Sequence, residues 1–269
     1  MLELINKVKE INPLVLHYTN EVTINDCANI TLALGASPLM SYSNEEVEEV
    51  VSIASSVVIN IGTMNSNRLD LFVNAGKAAN KFNKPVILDP VGVFATKTRT
   101  DFTNKLLNEI KFDVVKGNVA EIKFIGGLDV RGQGVDSFDD GEDISEVIKK
   151  VAKKLGCIVV ATGKVDFISD GNTVIKIFNG TSKLKSVTGT GCMTGSLIGS
   201  YLGAYNSLEG RERDNFKKVE VVAMGVLTMA VSGELADKDN IAIGTFKEEL
   251  MNNVYEMNID KLKEYGRIE

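Results

Sequence analysis

Two strand-length runs, Ser56-Val57-Val58-Ile59-Asn60-Ile61 and Cys157-Ile158-Val159-Val160-Ala161, are rich in β-branched residues and show no polar alternation. A strand with one wet face alternates apolar and polar residues, whereas a strand covered on both faces does not. The chain must therefore place structure on both sides of a sheet. Stretches of helical length and pattern supply it. Residues 13–17 precede 25–34, 56–61 precede 67–82, and 85–88 precede 99–110. Residues 113–115 precede 119–125, and 144–155 lead into 157–161. Strands alternating with helices of about 10–15 residues predict βαβ units and a parallel sheet.

Local signals refine this expectation. Ser43-Asn44-Glu45-Glu46 has the form of a capping box that opens a helix. Asp170-Gly171 between apolar runs at 165–169 and 173–178 predicts a hairpin, and so an antiparallel appendage to the sheet. Residues 126–142 hold five glycines and five acids and are expected to form a mobile surface loop facing solvent. The last third is expected to be helical over 190–204, 216–235 and 245–255. No repeat or linker divides the chain, so one domain over residues 1–269 is expected.

Charge and cysteine usage exclude several function classes. Thirty basic against thirty-six acidic residues give a net charge of −6, which argues against a general nucleic-acid binder. One histidine cannot build a His-rich metal site, and the three cysteines, at 27, 157 and 192, form no C-x-x-C pair. Scattered thiols fit a reducing, cytoplasmic setting. The N-terminal residues carry charges throughout, unlike a secretion signal, and the uncharged apolar stretch 221–231 is too short to span a bilayer. No membrane partner is expected.

Candidate chemistry gathers where strands end and helices begin. In Val187-Thr188-Gly189-Thr190-Gly191-Cys192-Met193-Thr194-Gly195, glycines and small hydroxyl residues precede a long apolar helix. Such a start aims several backbone N–H groups at one spot, a site for phosphate or developing negative charge. Tight packing of the helix on the sheet explains the same glycines equally well. Cys192 lies in the first turn, where the helix dipole favours a thiolate, although small buried cysteines are common. Asp89, in Leu88-Asp89-Pro90-Val91-Gly92, follows an apolar strand and is a candidate for holding a metal ion, or a turn aspartate before proline. In Lys116-Gly117-Asn118-Val119-Ala120-Glu121, Asn118 and Glu121 share a helix face. They serve either the ligand or a capping box. Thr162 ends another strand, and His17, Thr19 and Asn20 follow the first. Neither a Walker loop nor a G-x-S-x-G elbow occurs. An anion hole, two carboxylates and a basic residue in one crevice are the parts of Mg²⁺-assisted phosphoryl transfer.

Seven motifs occur in order: Thr19-Asn20, Leu34-Gly35-Ala36-Ser37-Pro38, Asn60-Ile61-Gly62-Thr63, Leu88-Asp89-Pro90-Val91-Gly92, Gly117-Asn118-x-x-Glu121, Thr162-Gly163 and Val187-Thr188-Gly189-x-Gly191-Cys192. The set resembles the hydroxyethylthiazole kinases of the ribokinase-like superfamily, over about residues 13 to 235. The resemblance implies a three-layer α/β sandwich with a mostly parallel central sheet flanked by helices. It implies phosphorylation of the hydroxyl of 4-methyl-5-(2-hydroxyethyl)thiazole by ATP with Mg²⁺, in thiamine biosynthesis and salvage. It also implies a homotrimer with active sites at subunit boundaries. Carried over by position, Met40, Gly189 and Asn20 contact the thiazole, and Lys116 and Thr162 contact ATP. Asp89 and Glu121 arrange Mg²⁺, and the amides of Gly189, Thr190, Gly191 and Cys192 form the anion hole.

The sequence departs from the pattern at two positions. Lys116 stands where the family often has arginine, which keeps the charge but loses a bidentate fork. Cys192 stands where many superfamily kinases carry aspartate, so a thiolate serves as base or the proton leaves late. Rival readings are a hydroxymethylpyrimidine or pyridoxal kinase of the same superfamily, the repair dehydratase for hydrated NAD(P)H, and a non-catalytic nucleotide-binding protein.

Overall fold

The computed structural model describes residues 1–128 and 143–269. Most of the acidic 126–142 segment therefore lies outside the described residues. In chain order the first half comprises α1 (Leu4–Ile11), β1 (Leu14–Tyr18), α2 (Ile24–Leu34), β2 (Ser37–Met40), α3 (Val47–Ile53), β3 (Ser56–Asn60), α4 (Leu69–Lys81), β4 (Val86–Asp89), α5 (Lys97–Glu109), β5 (Val114–Asn118) and α6 (Val119–Gly126). After it come α7 (Ile144–Leu155), β6 (Ile158–Thr162), β7 (Asp166–Ser169), β8 (Val174–Ile177), α8 (Thr190–Ser207), α9 (Gly210–Asp214), α10 (Lys218–Ala236), α11 (Ile243–Tyr255) and α12 (Ile259–Tyr265).

The strands form one sheet in the order β2-β1-β3-β4-β5-β6-β7-β8. All neighbours from β2 to β6 are parallel, and β6-β7-β8 are antiparallel, as the Asp170-Gly171 turn predicts. Successive side chains enter separate cores. Val15, Val58, Ile87, Val114 and Val160 pack with α1, α2, α8, α10, α11 and α12 on one face. Leu16, Val57, Ile59, Leu88, Val115 and Val159 pack with α3, α4, α5, α6 and α7 on the other. Burial on both sides is why the strands show no polar alternation.

Helix α8 lies hard against the sheet because glycine repeats on its inner face. A Cβ on Gly199 would stand 2.9 Å from Val58 Cγ2 and 3.0 Å from Val15 Cγ1. That close approach fixes the start of α8 above β1 and β3. Helix α10 is long and apolar enough to cross a membrane, but 83% of its apolar window is buried inside the protein, as in a core helix.

One local expectation needs correction. Ser43-Asn44-Glu45-Glu46 does not cap a helix. Ser43 donates to the Glu45 carboxylate and Ser41 Oγ donates to Glu46 Oε1 at 2.6 Å, so these side chains bond one another. Helix α3 begins at Val47 without a side-chain cap. Helix α1 and strand β2 were not expected as elements. β2 has four half-buried residues including Pro38, which an edge strand tolerates.

Candidate active site

The parallel strands end on one side of the sheet, and their order reverses between β1 and β3. β1 continues outward to β2, and the chain then returns across β1 to β3. Open α/β sheets bind ligands in the crevice at such a switch point. Here the crevice is crossed by side chains. Asn20, just past β1, donates through Nδ2 to Asn60 Oδ1 at 2.9 Å. Asn60 ends β3 and donates through Nδ2 to Asp89 Oδ2, also at 2.9 Å. Parallel register places Asn60 beside Asp89 at the end of β4. Lys116 of β5 completes the row, with Nζ 3.3 Å from Asp89 Oδ2.

The start of α8 closes over this row. Gly189 is its N-cap, at φ 93°, in the left-handed region. A Cβ there would meet Thr23 Cγ2 at 2.7 Å, so both backbone and space require glycine. The first intrahelical bond runs from Met193 N to Gly189 O at 2.8 Å. The amides of Thr190, Gly191 and Cys192 therefore have no carbonyl partner within the helix. Gly191 is exposed, and the space where its Cβ would stand lies 3.2 Å from Lys116 Nζ. Cys192 Sγ accepts from both Asn20 Nδ2 and Asn60 Nδ2, each at 3.3 Å. The Gly-rich turn thus combines close packing with amides that have no partner within the helix.

Burial sharpens the electrostatics. Lys116 and Asp89 have side chains 5% and 2% exposed. Burial alone would pull the Lys116 ammonium down. The Asp89 carboxylate beside it outweighs that and holds it above its ordinary value. Glu121 is pushed up, by burial first and by the Asp89 charge second. Its oxygens accept from Gly92 N and Asn118 N, each at 2.8 Å, and Asn118 Oδ1 accepts from Glu121 N at 2.9 Å. The capping box is therefore formed, and it also ties the loop after Asp89 to the start of α6.

The remaining candidates flank this centre. Thr162, paired in register with Asn118, donates to Gly117 O at 3.3 Å. The following turn is held by Asp166, whose Oδ1 accepts from Gly163 N at 2.9 Å and whose carboxyl burial pushes up to about 7. Met40 ends edge strand β2 and pairs in register with His17. Met40 and Thr162 stand five strand spacings apart, roughly 24 Å, with Asp89 and Cys192 between them. His17 lies within β1 and is buried. Its Nδ1 contacts Val15 O and its Nε2 contacts Ser196 Oγ, each at 3.0 Å, so it ties α8 to the sheet. Burial pulls the His17 imidazole down to about 4 and keeps it neutral.

Among the described residues no group of three or more His, Cys, Asp or Glu side chains could hold a metal. Mg²⁺ is commonly held by one or two carboxylates and completed by waters and substrate phosphates; Asp89 is the carboxylate at the strand ends, while both Glu121 oxygens already accept backbone N–H groups. The sequence reading assigned no role to Asn60. Its sequence signals were its place at the end of an apolar strand and in the Asn60-Ile61-Gly62-Thr63 motif.

The chain resembles known proteins along nearly its whole length. A family model, the Hydroxyethylthiazole kinase family, matches residues 5–260. A hydroxyethylthiazole kinase of Clostridioides difficile (strain 630) is 64% identical, covering 100% of this chain and 99% of the relative. The solved structure of a hydroxyethylthiazole kinase protein from Pyrococcus horikoshii OT3 superposes with a TM-score of 0.85 at 33% identity, covering 100% of this chain and 97% of that one. A pyridoxal kinase from Staphylococcus aureus, in complex with ADP, shares the fold with a TM-score of 0.62 at 15% identity, over 95% of this chain and 97% of that one.

Proposed function

The chain belongs to the hydroxyethylthiazole kinase family, and from that membership we propose how its strand ends and the start of α8 carry the reaction. The enzyme transfers a phosphoryl group from ATP to the hydroxyl of 4-methyl-5-(2-hydroxyethyl)thiazole, a step of thiamine salvage. The observation that carries the mechanism is the hydrogen-bonded row Asn20–Asn60–Asp89–Lys116, with Cys192 resting on its first two members.

The thiazole lies on the β2–β1 side, against Met40, Asn20 and Gly189. ATP lies toward β5 and β6, against Lys116 and Thr162. Their reacting ends meet over Asp89 and Cys192. The free amides of Thr190, Gly191 and Cys192, with the turn at Gly189, receive the charge of the transferring phosphoryl. Lys116 adds a fixed positive charge beside Gly191. Such preorganised donors in a buried site supply most of the acceleration when the transition state is loose. Asp89 would hold Mg²⁺, with Glu121 behind it, and the ion would neutralise phosphate charge when bound. Cys192 Sγ receives two amide donors and so is held as an acceptor, which supports it as the group that takes the hydroxyl proton.

Residues 1–269 are read as one kinase domain in the cytoplasm, supported by the single sheet and the scattered free thiols. Association into a homotrimer is supported by the open side of the thiazole pocket. Met40 sits half-buried on an edge strand, and Val22 and Leu32, before and within α2, are 65% and 56% exposed. A neighbouring subunit would close that side.

Cys192→Ala tests the mechanism. Turnover should fall about 10²-fold while thiazole affinity, measured by calorimetry, stays within about threefold. Wild-type turnover in that variant would remove Cys192 from the chemistry.

A further inference from the structure

The orientation of the Asn60 side chain is dictated by a group that has no choice. Gly62 N–H can only donate, and it lies 2.8 Å from Asn60 Oδ1. Oδ1 must face it, so Nδ2 must face the other way, toward Asp89 Oδ2 at 2.9 Å and Cys192 Sγ at 3.3 Å. Oδ1 also accepts from Asn20 Nδ2. An asparagine amide offers two hydrogens and two lone pairs, and all four are used here. Asn20 is fixed in the same way, since its Oδ1 accepts from Thr23 N at 3.1 Å. Two backbone amides thus set the polarity of the whole row. Each of the four amide hydrogens of Asn20 and Asn60 points toward the sulfur of Cys192, the carboxylate of Asp89 or the next amide.

We infer that Asn60 is a positioning residue for phosphoryl transfer, using the Gly62 amide to keep Cys192 Sγ and Asp89 Oδ2 both as hydrogen-bond acceptors. The inference rests on the kinase reading above. Asn60 is only 2% exposed and touches no ligand in that reading; it acts through its two neighbours. With both donors of the amide spent on them, a hydrogen carried by the Cys192 sulfur is free to point only away from the row. A sulfur held as an acceptor can also receive the hydrogen of a substrate hydroxyl. The same amide ties the sulfur at the start of α8 to the carboxylate at the end of β4. One side chain therefore sets the spacing between the helix turn and the metal-binding carboxylate.

Asn60→Asp tests this role. The variant has the same shape, and its oxygens still accept from Gly62 N and Asn20 Nδ2. The two donated bonds become acceptors facing acceptors, and a carboxylate is added 2.9 Å from that of Asp89. The charged and titratable groups around it are Asp89 on β4, Lys116 on β5, Glu121 on α6 and Cys192 on α8. We expect kcat to fall at least 100-fold, with KM for thiazole and ATP within about threefold of wild type. A purely structural defect would move KM and kcat together. A second readout is alkylation of Cys192 by iodoacetamide, followed at that peptide by mass spectrometry. An acceptor beside the sulfur disfavours the thiolate without opening the site, so alkylation should slow at least tenfold. Wild-type kcat with unchanged alkylation would overturn the inference. If Asn60→Asp fails to fold, Asn60→Ala decides: a loss of at least tenfold in kcat at unchanged KM supports the role, and kcat within twofold of wild type ends it. An inactive wild-type protein would instead overturn the kinase reading, and this inference with it.

Discussion

Asp89→Asn should lower kcat on the order of 10³-fold and lower the melting temperature as well. The carboxylate faces a buried ammonium and accepts an amide hydrogen on one oxygen, Oδ2. An amide of the same shape keeps one acceptor but removes the anion. Lys116 then keeps its burial without its principal counter-charge, and its ammonium is pulled down rather than held up. Breaking a buried pair by removing one partner costs about 3–5 kcal/mol. The retained acceptor places the variant at the lower end of that range. Turnover suffers further because Mg²⁺ loses its carboxylate and the phosphoryl loses a correctly charged lysine. The double variant Asp89→Asn, Lys116→Met separates the two effects. It should regain most of the stability and none of the turnover, because neutral groups replace both ions. Steady-state kinetics at saturating ATP and Mg²⁺, with thermal melts alongside, check both halves. An Asp89→Asn enzyme within tenfold of wild type would show that the buried pair serves the fold alone.

Gly189→Ala should cost about 10²-fold in kcat while the protein remains folded. At φ 93° an alanine is strained by about 1–2 kcal/mol, and its methyl would lie 2.7 Å from Thr23 Cγ2. The turn relieves both problems by rotating, and the rotation swings the amides of Thr190, Gly191 and Cys192 away from the phosphoryl. A small displacement is enough, since donors act over about 2.7–3.1 Å. Adding Thr23→Ala should relieve the contact but not the backbone strain, so stability should recover more than turnover. Full recovery of turnover in the double variant would mean that the glycine is needed for packing alone.

The sheet was legible because burial on both faces leaves a mark that residues carry themselves. Ser56–Asn60 and Ile158–Thr162 need no partner to be recognised as covered strands. β2 leaves no such mark: it is four half-buried residues with a proline, and only its pairing with β1 makes it a strand. The capping box at 43–46 failed because serine and glutamate can satisfy each other as readily as a helix end, and sequence does not say which. At the site, Asp89, Lys116, Thr162 and Cys192 were legible from strand ends and a helix start. Asn60 was not, because its meaning lies in register. It matters that it stands beside Asp89 and beneath Cys192, and neither neighbour is near in sequence. Glu121 shows the opposite case. Its two readings, cap and ligand support, could not be separated from spacing, and the geometry fills the cap while leaving the carboxylate behind Asp89.

Phosphoryl transfer from ATP to a thiazole alcohol is proposed to take place across the β1–β3 crevice. The most direct test is ADP release by the purified protein with ATP and Mg²⁺, run with hydroxyethylthiazole, hydroxymethylpyrimidine, pyridoxal and no acceptor. Release should depend on the thiazole and stay at background with the other three. Equal release with pyridoxal or hydroxymethylpyrimidine would contradict the substrate assignment, and no release with any acceptor would contradict the mechanism itself.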